Sequence, residues 1–271
     1  MTVLEKVKVN KVNYEDFLKM IRNDEFKISE VNYSGMIEKK NHDARYDNRR
    51  KRQADNYYVS SVFNLFEEMC AEYGRIITMP EYLNEYMKLV RHQFYYSFVG
   101  WLHYEEEKIF ENIMRLRGYS AYRSALAEVG LKLMLEDMYD NYIIHMNEET
   151  DQILGVDIVV ENKHNDEAHY IHVTKESGFA RERLNDKSSK KVEVFNYNTQ
   201  QFEEYQRDFS NHIYAFYDDA ENNCEIINGV YIFREEYIKE LLDDNEGLCD
   251  KQQLTYLEYI DLEKNVEWVE E

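Results

Sequence analysis

The sequence predicts an α+β protein: an N-terminal helical block followed by a mixed or antiparallel sheet with flanking helices. Three observations carry that expectation. Residues 57–146 place apolar side chains at spacings of three and four, the signature of helices with one buried face. From Asp151 onward the pattern changes to short β-branched runs separated by turn residues. One proline and nine glycines in 271 residues leave few breakers, so the elements should be long.

Length and charge bound the classes of function. A chain of 271 residues has room for a sizeable core, as one large domain or two modest ones. Its formal net charge is −21, and the charge is unevenly spread. Residues 1–52 hold 13 Lys/Arg against 9 Asp/Glu, a balance of +4, whereas residues 53–271 hold 20 against 45, a balance of −25. The stretch 235–271 alone carries 13 acids and 3 bases. Such an acidic body repels nucleic acid and favours basic partners. Cys70, Cys224 and Cys249 are far apart, with no CxxC pair, and the first ten residues hold no continuous apolar run. Reduced thiols, a cytoplasmic location and no membrane span are therefore expected. The sequence divides into a basic segment (1–56), a helical region (57–147) and an α+β domain (148–271).

In chain order, Val3 to Val12 alternate like an edge strand or arm, and Tyr14 to Arg22 fit a short helix. The segment 39–52 is dense in bases: Lys39, Lys40, Arg49, Arg50, Lys51 and Arg52 form a candidate contact for phosphate or an acidic surface. Val59, Val62, Phe63, Phe66 and Met69 mark a helix capped near Gly74; Thr78 and Pro80 open the next. That helix is expected to run to Gly118 with a break at Gly100. Ser120 to Met146 reads as a further helix.

Beyond it, Val156–Val160 and His169–Thr174 read as a strand pair, and Ser177–Lys191 as a helix or ordered loop. His212–Tyr217 and Cys224–Phe233 are strand runs, the second folded on itself at Asn228-Gly229, a strong tight-turn signal. Glu235–Leu242 reads as a helix and Thr255–Ile260 as an edge strand.

Common phosphate-loop, dinucleotide, serine-hydrolase and zinc-protease motifs are absent. His169 and His172 are three apart on a strand, hence on opposite faces, and cannot chelate one ion together with His164. The residues with the most chemical promise are Asp157, inside Gly155-Val-Asp-Ile-Val-Val160, Glu161, and Lys175, ending Tyr170-Ile-His-Val-Thr-Lys175. The helix, strand and strand over about residues 125–190 resemble the core of the PD-(D/E)xK nuclease superfamily. The resemblance implies that Asp157 holds Mg²⁺, that Lys175 orients the attacking water, and that Glu128 or Glu136 serves as the helix glutamate. Arg181, Arg183 and Lys187 follow where basic groups are expected. The chain departs from the pattern at Val173, two before Lys175, where the family has an acid or glutamine. Glu161, four residues after Asp157, is the candidate replacement as second Mg²⁺ ligand.

Two expectations of function follow. The first is an acidic interaction protein of phage or mobile-element type, with no cofactor, that binds and blocks a DNA-handling or host-defence complex. The second is a Mg²⁺-dependent nuclease. A basic head and an acidic tail also suggest self-association into a homo-oligomer.

Overall fold

The structure, a computed structural model, describes residues 12–28, 62–98, 104–146, 154–164, 167–188, 191–196, 201–207, 209, 212–244 and 249–250. The chain is α+β, as its apolar periodicities predict. It divides into two compact units, one of residues 1–127 with 226–231, the other of 128–225 with 232–271. The basic segment 39–52, Gly100 and Thr255–Ile260 lie outside the described residues.

The first unit is helical. Helix α1 (Tyr14–Ile21) begins where Asn13 Oδ1 accepts a hydrogen bond from the Asp16 amide at 2.8 Å, an N-cap that satisfies one orphan donor. Its buried face, Phe17 and Ile21, continues through a 3₁₀ turn (Asp24–Phe26) to Phe26 and Ile28. Helix α2 (Val62–Tyr73) ends at Gly74, whose φ of 64° is left-handed backbone that favours glycine.

Helix α3 (Met79–Phe98) opens with a capping box. Glu81 Oε2 accepts from both the amide and the hydroxyl of Thr78 at 2.8 Å. Arg75 donates to the same carboxylate at 2.5 and 3.1 Å, and this guanidinium is the first cause holding the Glu81 pKa down to about 2.

Helix α4 (Tyr104–Met138) runs unbroken through Gly118, where the sequence pattern predicts a helix end. Gly118 is instead the point of close approach to α3. A Cβ there would lie 2.7 Å from a ring carbon of Tyr86 and 2.8 Å from Leu83 Cδ2. The core around it is aromatic, with Phe66, Tyr82, Tyr86 and Tyr122 all essentially inaccessible. Their ring centroids stand 5.5 to 6.1 Å apart. Burial pushes the Tyr86 phenol up to about 12 and those of Tyr82 and Tyr122 higher still.

The second unit is built on a mixed sheet. Its strands are β1 (Tyr142–His145), β2 (Ile158–Asn162) and β3 (Glu167–Lys175), followed after an excursion by β6 (Ile213–Tyr217). The order is β1-β2-β3-β6; the first three are mutually antiparallel, and β6 runs parallel to β3. The excursion consists of α5 (Gly178–Ser188) and a separate antiparallel pair, β4 (Lys191–Asn196) and β5 (Gln201–Gln206). After β6 come β7 (Cys224–Ile227), β8 (Val230–Phe233), α6 (Glu235–Asp244) and the two-residue β9 (Cys249–Asp250), which pairs with the start of β3.

Three expectations change here. Tyr142–His145 is a strand, not the end of a helix: α4 stops at Met138, and Ile143 and Ile144 alternate exposed and buried. The β4–β5 pair was not foreseen. The first hairpin strand starts at Ile158, because Gly155 sits at φ 75° and Asp157 forms a bend before pairing begins.

Asn228-Gly229 is the turn between β7 and β8, with φ values of 52° and 84° as a type I′ turn requires. Its tip belongs to the helical unit. The Ile28 amide donates to Asn228 O at 2.8 Å, and Asn228 Nδ2 donates to the carbonyls of Ile21 (2.8 Å) and Asn23 (3.2 Å). Arg123 Nε donates to Gly229 O at 3.1 Å, its guanidinium 4.6 Å above the Tyr231 ring. A turn read as local punctuation is thus also a tertiary anchor.

Candidate functional site

Strand pairing assigns each candidate side chain to a face. In the β2–β3 register Val159 stands opposite Tyr170 and Glu161 opposite Ala168. Alternation then puts Val159, Glu161, Ala168, Tyr170, His172 and Thr174 on one face, joined by His145 of β1 and by Tyr214 and Phe216 of β6. Ile158, Val160, His169, Ile171, Val173 and Lys175 occupy the other, and both faces are buried along most of their length. The regular register stops at Ile158: Asp157 lies at the bend before it, and its amide donates to Ile171 O at 3.1 Å.

Of the residues of the proposed nuclease motif, Glu161 and Lys175 stand on opposite faces of the sheet. Asp157 lies outside β2, at the bend that precedes it. Glu161 Oε2 is 2.9 Å from His145 Nε2. The half-buried Asp157 turns its Oδ2 to accept the Val173 amide at 2.7 Å, replacing a ladder bond that the bend removes. Lys175 lies on the opposite face from Glu161 and seven positions along β3 from Glu161's partner, and donates to Asp219 Oδ2 at 2.5 Å.

Among the described residues, no group of three or more His, Cys, Asp or Glu is placed to hold a metal ion.

The remaining candidates are also engaged elsewhere. Glu136 accepts from the buried Lys132 at 2.7 Å, an i,i+4 pair within α4. Glu128 is half-buried on the same helix. Arg181 donates to Glu176 Oε1 at 2.7 and 2.9 Å while its guanidinium rests 4.4 Å over the Phe216 ring. The Arg183 side chain lies outside the described residues. His164 is exposed, and His169 faces the Tyr142 ring across β2 at 6.4 Å.

What the sheet does assemble is a buried histidine pair that sequence reasoning missed. His172 Nε2 and His212 Nδ1 are 2.9 Å apart, with both residues buried. The Phe209 ring lies 4.4 Å from His172, Tyr214 stacks on it at 5.1 Å, and Tyr170 stacks on His212 at 5.1 Å. Burial is the largest cause holding the His172 pKa well below the usual imidazole range; the neighbouring His212, Lys187 and Arg207 push the same way. Arg207 is itself buried, packed against Gly155, where an added Cβ would sit 2.9 Å from its Nε. No local signal marks this cluster, since its two histidines are 40 residues apart and meet only because β6 pairs with β3. No family model, curated protein or solved structure matches the chain.

A prediction follows for Asp157. Removing its carboxylate in Asp157→Ala leaves the Val173 amide without that acceptor, a loss of roughly 1–3 kcal/mol. Asp157→Asn keeps an acceptor oxygen and is expected to recover most of it. Denaturant midpoints of the two variants against the parent check this ordering, and equal midpoints would contradict it.

Proposed function

We propose that this chain is an acidic interaction protein that engages a basic protein surface, of the kind carried by DNA-handling or host-defence complexes, and blocks it by occupying the site where an anion would bind. The observation that carries this reading is the charge: a balance of −25 over residues 53–271. An excess of that size opposes compact folding through self-repulsion and exceeds what solubility requires. In the second unit the exposed acids include Asp219, Glu221, Glu225, Glu235, Glu236 and Glu240. The turn after β6 and the start of α6 are neighbours there, because Arg234 bonds the Asn223 and Glu221 carbonyls. Further support comes from Asp157, Glu161 and Lys175, whose separate partners argue against a hydrolytic centre built from them.

The test is affinity capture on the immobilised chain from host extract at about 50 mM and about 500 mM salt, with and without excess DNA. The Debye length shrinks several-fold across that range, so a charge-driven complex should form at the lower salt and fall away at the higher. Basic DNA-binding proteins should be enriched, DNA should compete for them, and the triple reversal Glu235→Lys, Glu236→Lys, Glu240→Lys should weaken capture. Finding no partner at either salt rejects the proposal. In parallel, Mg²⁺-dependent DNA cleavage by the purified chain, abolished by Asp157→Ala but not by a change at Lys239, would favour the nuclease instead.

A further inference from the structure

Strand β6 ends the sheet order, and among the described residues it pairs with one strand, β3. Its backbone therefore presents donors and acceptors on the side away from β3. An edge of this kind accepts a strand from another chain unless it is covered. The segment itself suits such pairing, since Ile213-Tyr-Ala-Phe-Tyr217 is apolar and aromatic, with no charge and no proline. In a protein of net charge −21, it is a stretch where two copies meet without like charges standing opposite.

Two side chains stand in for the next strand. The Phe216 amide donates to Tyr237 Oη of α6 at 3.1 Å, and the same hydroxyl donates to Tyr214 O at 3.5 Å. Asn223 Nδ2 donates to Phe216 O at 3.1 Å. A hydroxyl accepts and donates at once, so Tyr237 serves an N–H and a C=O of alternate residues as a neighbouring strand would. These groups are held from behind. The Tyr237 ring stacks on Phe233 at 6.2 Å, the adjoining Ile238 is buried, and the Arg234 amide donates to Asn223 O at 3.0 Å. Burial is the first cause raising the Tyr237 pKa, so the phenol keeps its donor proton at neutral pH.

We propose that Tyr237 and Asn223 form a side-chain plug that closes the β6 edge to strand addition by a second copy of this chain. Losing the plug turns β6 into a self-pairing edge.

The test uses the full chain, with hydrogen exchange resolved at single amides and mass measured by sedimentation. Tyr237→Phe keeps the ring against Phe233 and removes the hydroxyl. At low concentration its Phe216 amide should exchange about fivefold faster than in the parent, the effect of one lost hydrogen bond. In the double variant Tyr237→Phe, Asn223→Ala, the average mass should rise with concentration towards the dimer. Phe216 protection should return in step, because a strand of the second copy takes over the amide. Lys239→Ala, at an exposed position of the same helix, should match the parent in both readings. A double variant that circular dichroism shows unfolded is replaced by Tyr237→Phe, read for mass in the same way. Unchanged Phe216 exchange in Tyr237→Phe overturns the plug. So does a mass that stays at the parent's value at every concentration, or association that leaves the Phe216 amide unprotected.

Discussion

Replacing Tyr122 with alanine is expected to destabilise the helical unit by about 3–5 kcal/mol, the usual loss for deleting a large buried aromatic side chain. Tyr122 is fully buried, its ring edge-on to Phe66 at 5.7 Å and tilted against Tyr82 at 5.5 Å. Its hydroxyl donates to Ile77 O at 2.8 Å, tying α4 to the turn before α3. Tyr122→Phe separates the two contributions. It keeps the ring and deletes one neutral hydrogen bond, so about 1 kcal/mol should be lost. Urea unfolding of the parent and both variants measures the ladder. Should Tyr122→Phe prove as damaging as Tyr122→Ala, ring packing would not be the main contribution.

Acidification should weaken the sheet unit through the His172–His212 pair. Across the 2.9 Å separation one ring's N–H donates to the other ring's bare nitrogen, which requires at least one of the two rings to be neutral at that nitrogen. His172 Nδ1 has no hydrogen-bond partner. Protonating His172 would bury a charge there beside the cations of Lys187 of α5 and Arg207 after β5. The Asp157 carboxylate accepts the Val173 amide.

The folded-state pKa of His172 is thus lowered, so the unfolded chain binds a proton at higher pH than the folded one. The stability held by the neutral pair is complete above the ordinary histidine value of about 6.5. It declines as pH falls below that, by up to about 1.4 kcal/mol per pH unit for one proton, until the lowered folded value is reached. Denaturation curves between pH 7.5 and 5.0 should show this slope in the parent. They should show less of it in the double variant His172→Phe, His212→Phe, which preserves the stack without a titrating nitrogen. Parallel pH dependences in the two proteins would remove the pair as their cause.

Much of the local structure could be read directly. Asn13 opens a helix because its side chain accepts the amide three residues ahead, and Thr78 does so because Glu81 reaches back to accept its amide and hydroxyl, both purely local geometries. Asn228-Gly229 turns because its residues tolerate positive φ. Val159 and Tyr170 face one another because turn residues bring two β-branched runs into a hairpin. Tyr142–His145 was harder, since a four-residue apolar run after a helix fits either period. The continuity of α4 through Gly118 depended on Tyr86 and Leu83, more than thirty residues away, which leave room for hydrogen alone.

Sequence by itself determined the α+β class, the order of most elements and the acidity of the body, because these follow from periodicity, turn chemistry and counting. Only tertiary structure decided which side chains meet. Strand register is a property of two segments at once, and a shift of one residue exchanges the faces. Register leaves Lys175 bonded to Asp219, and the pairing of β6 with β3 brings His212 across 40 residues to complete a cluster that no stretch of the chain announces.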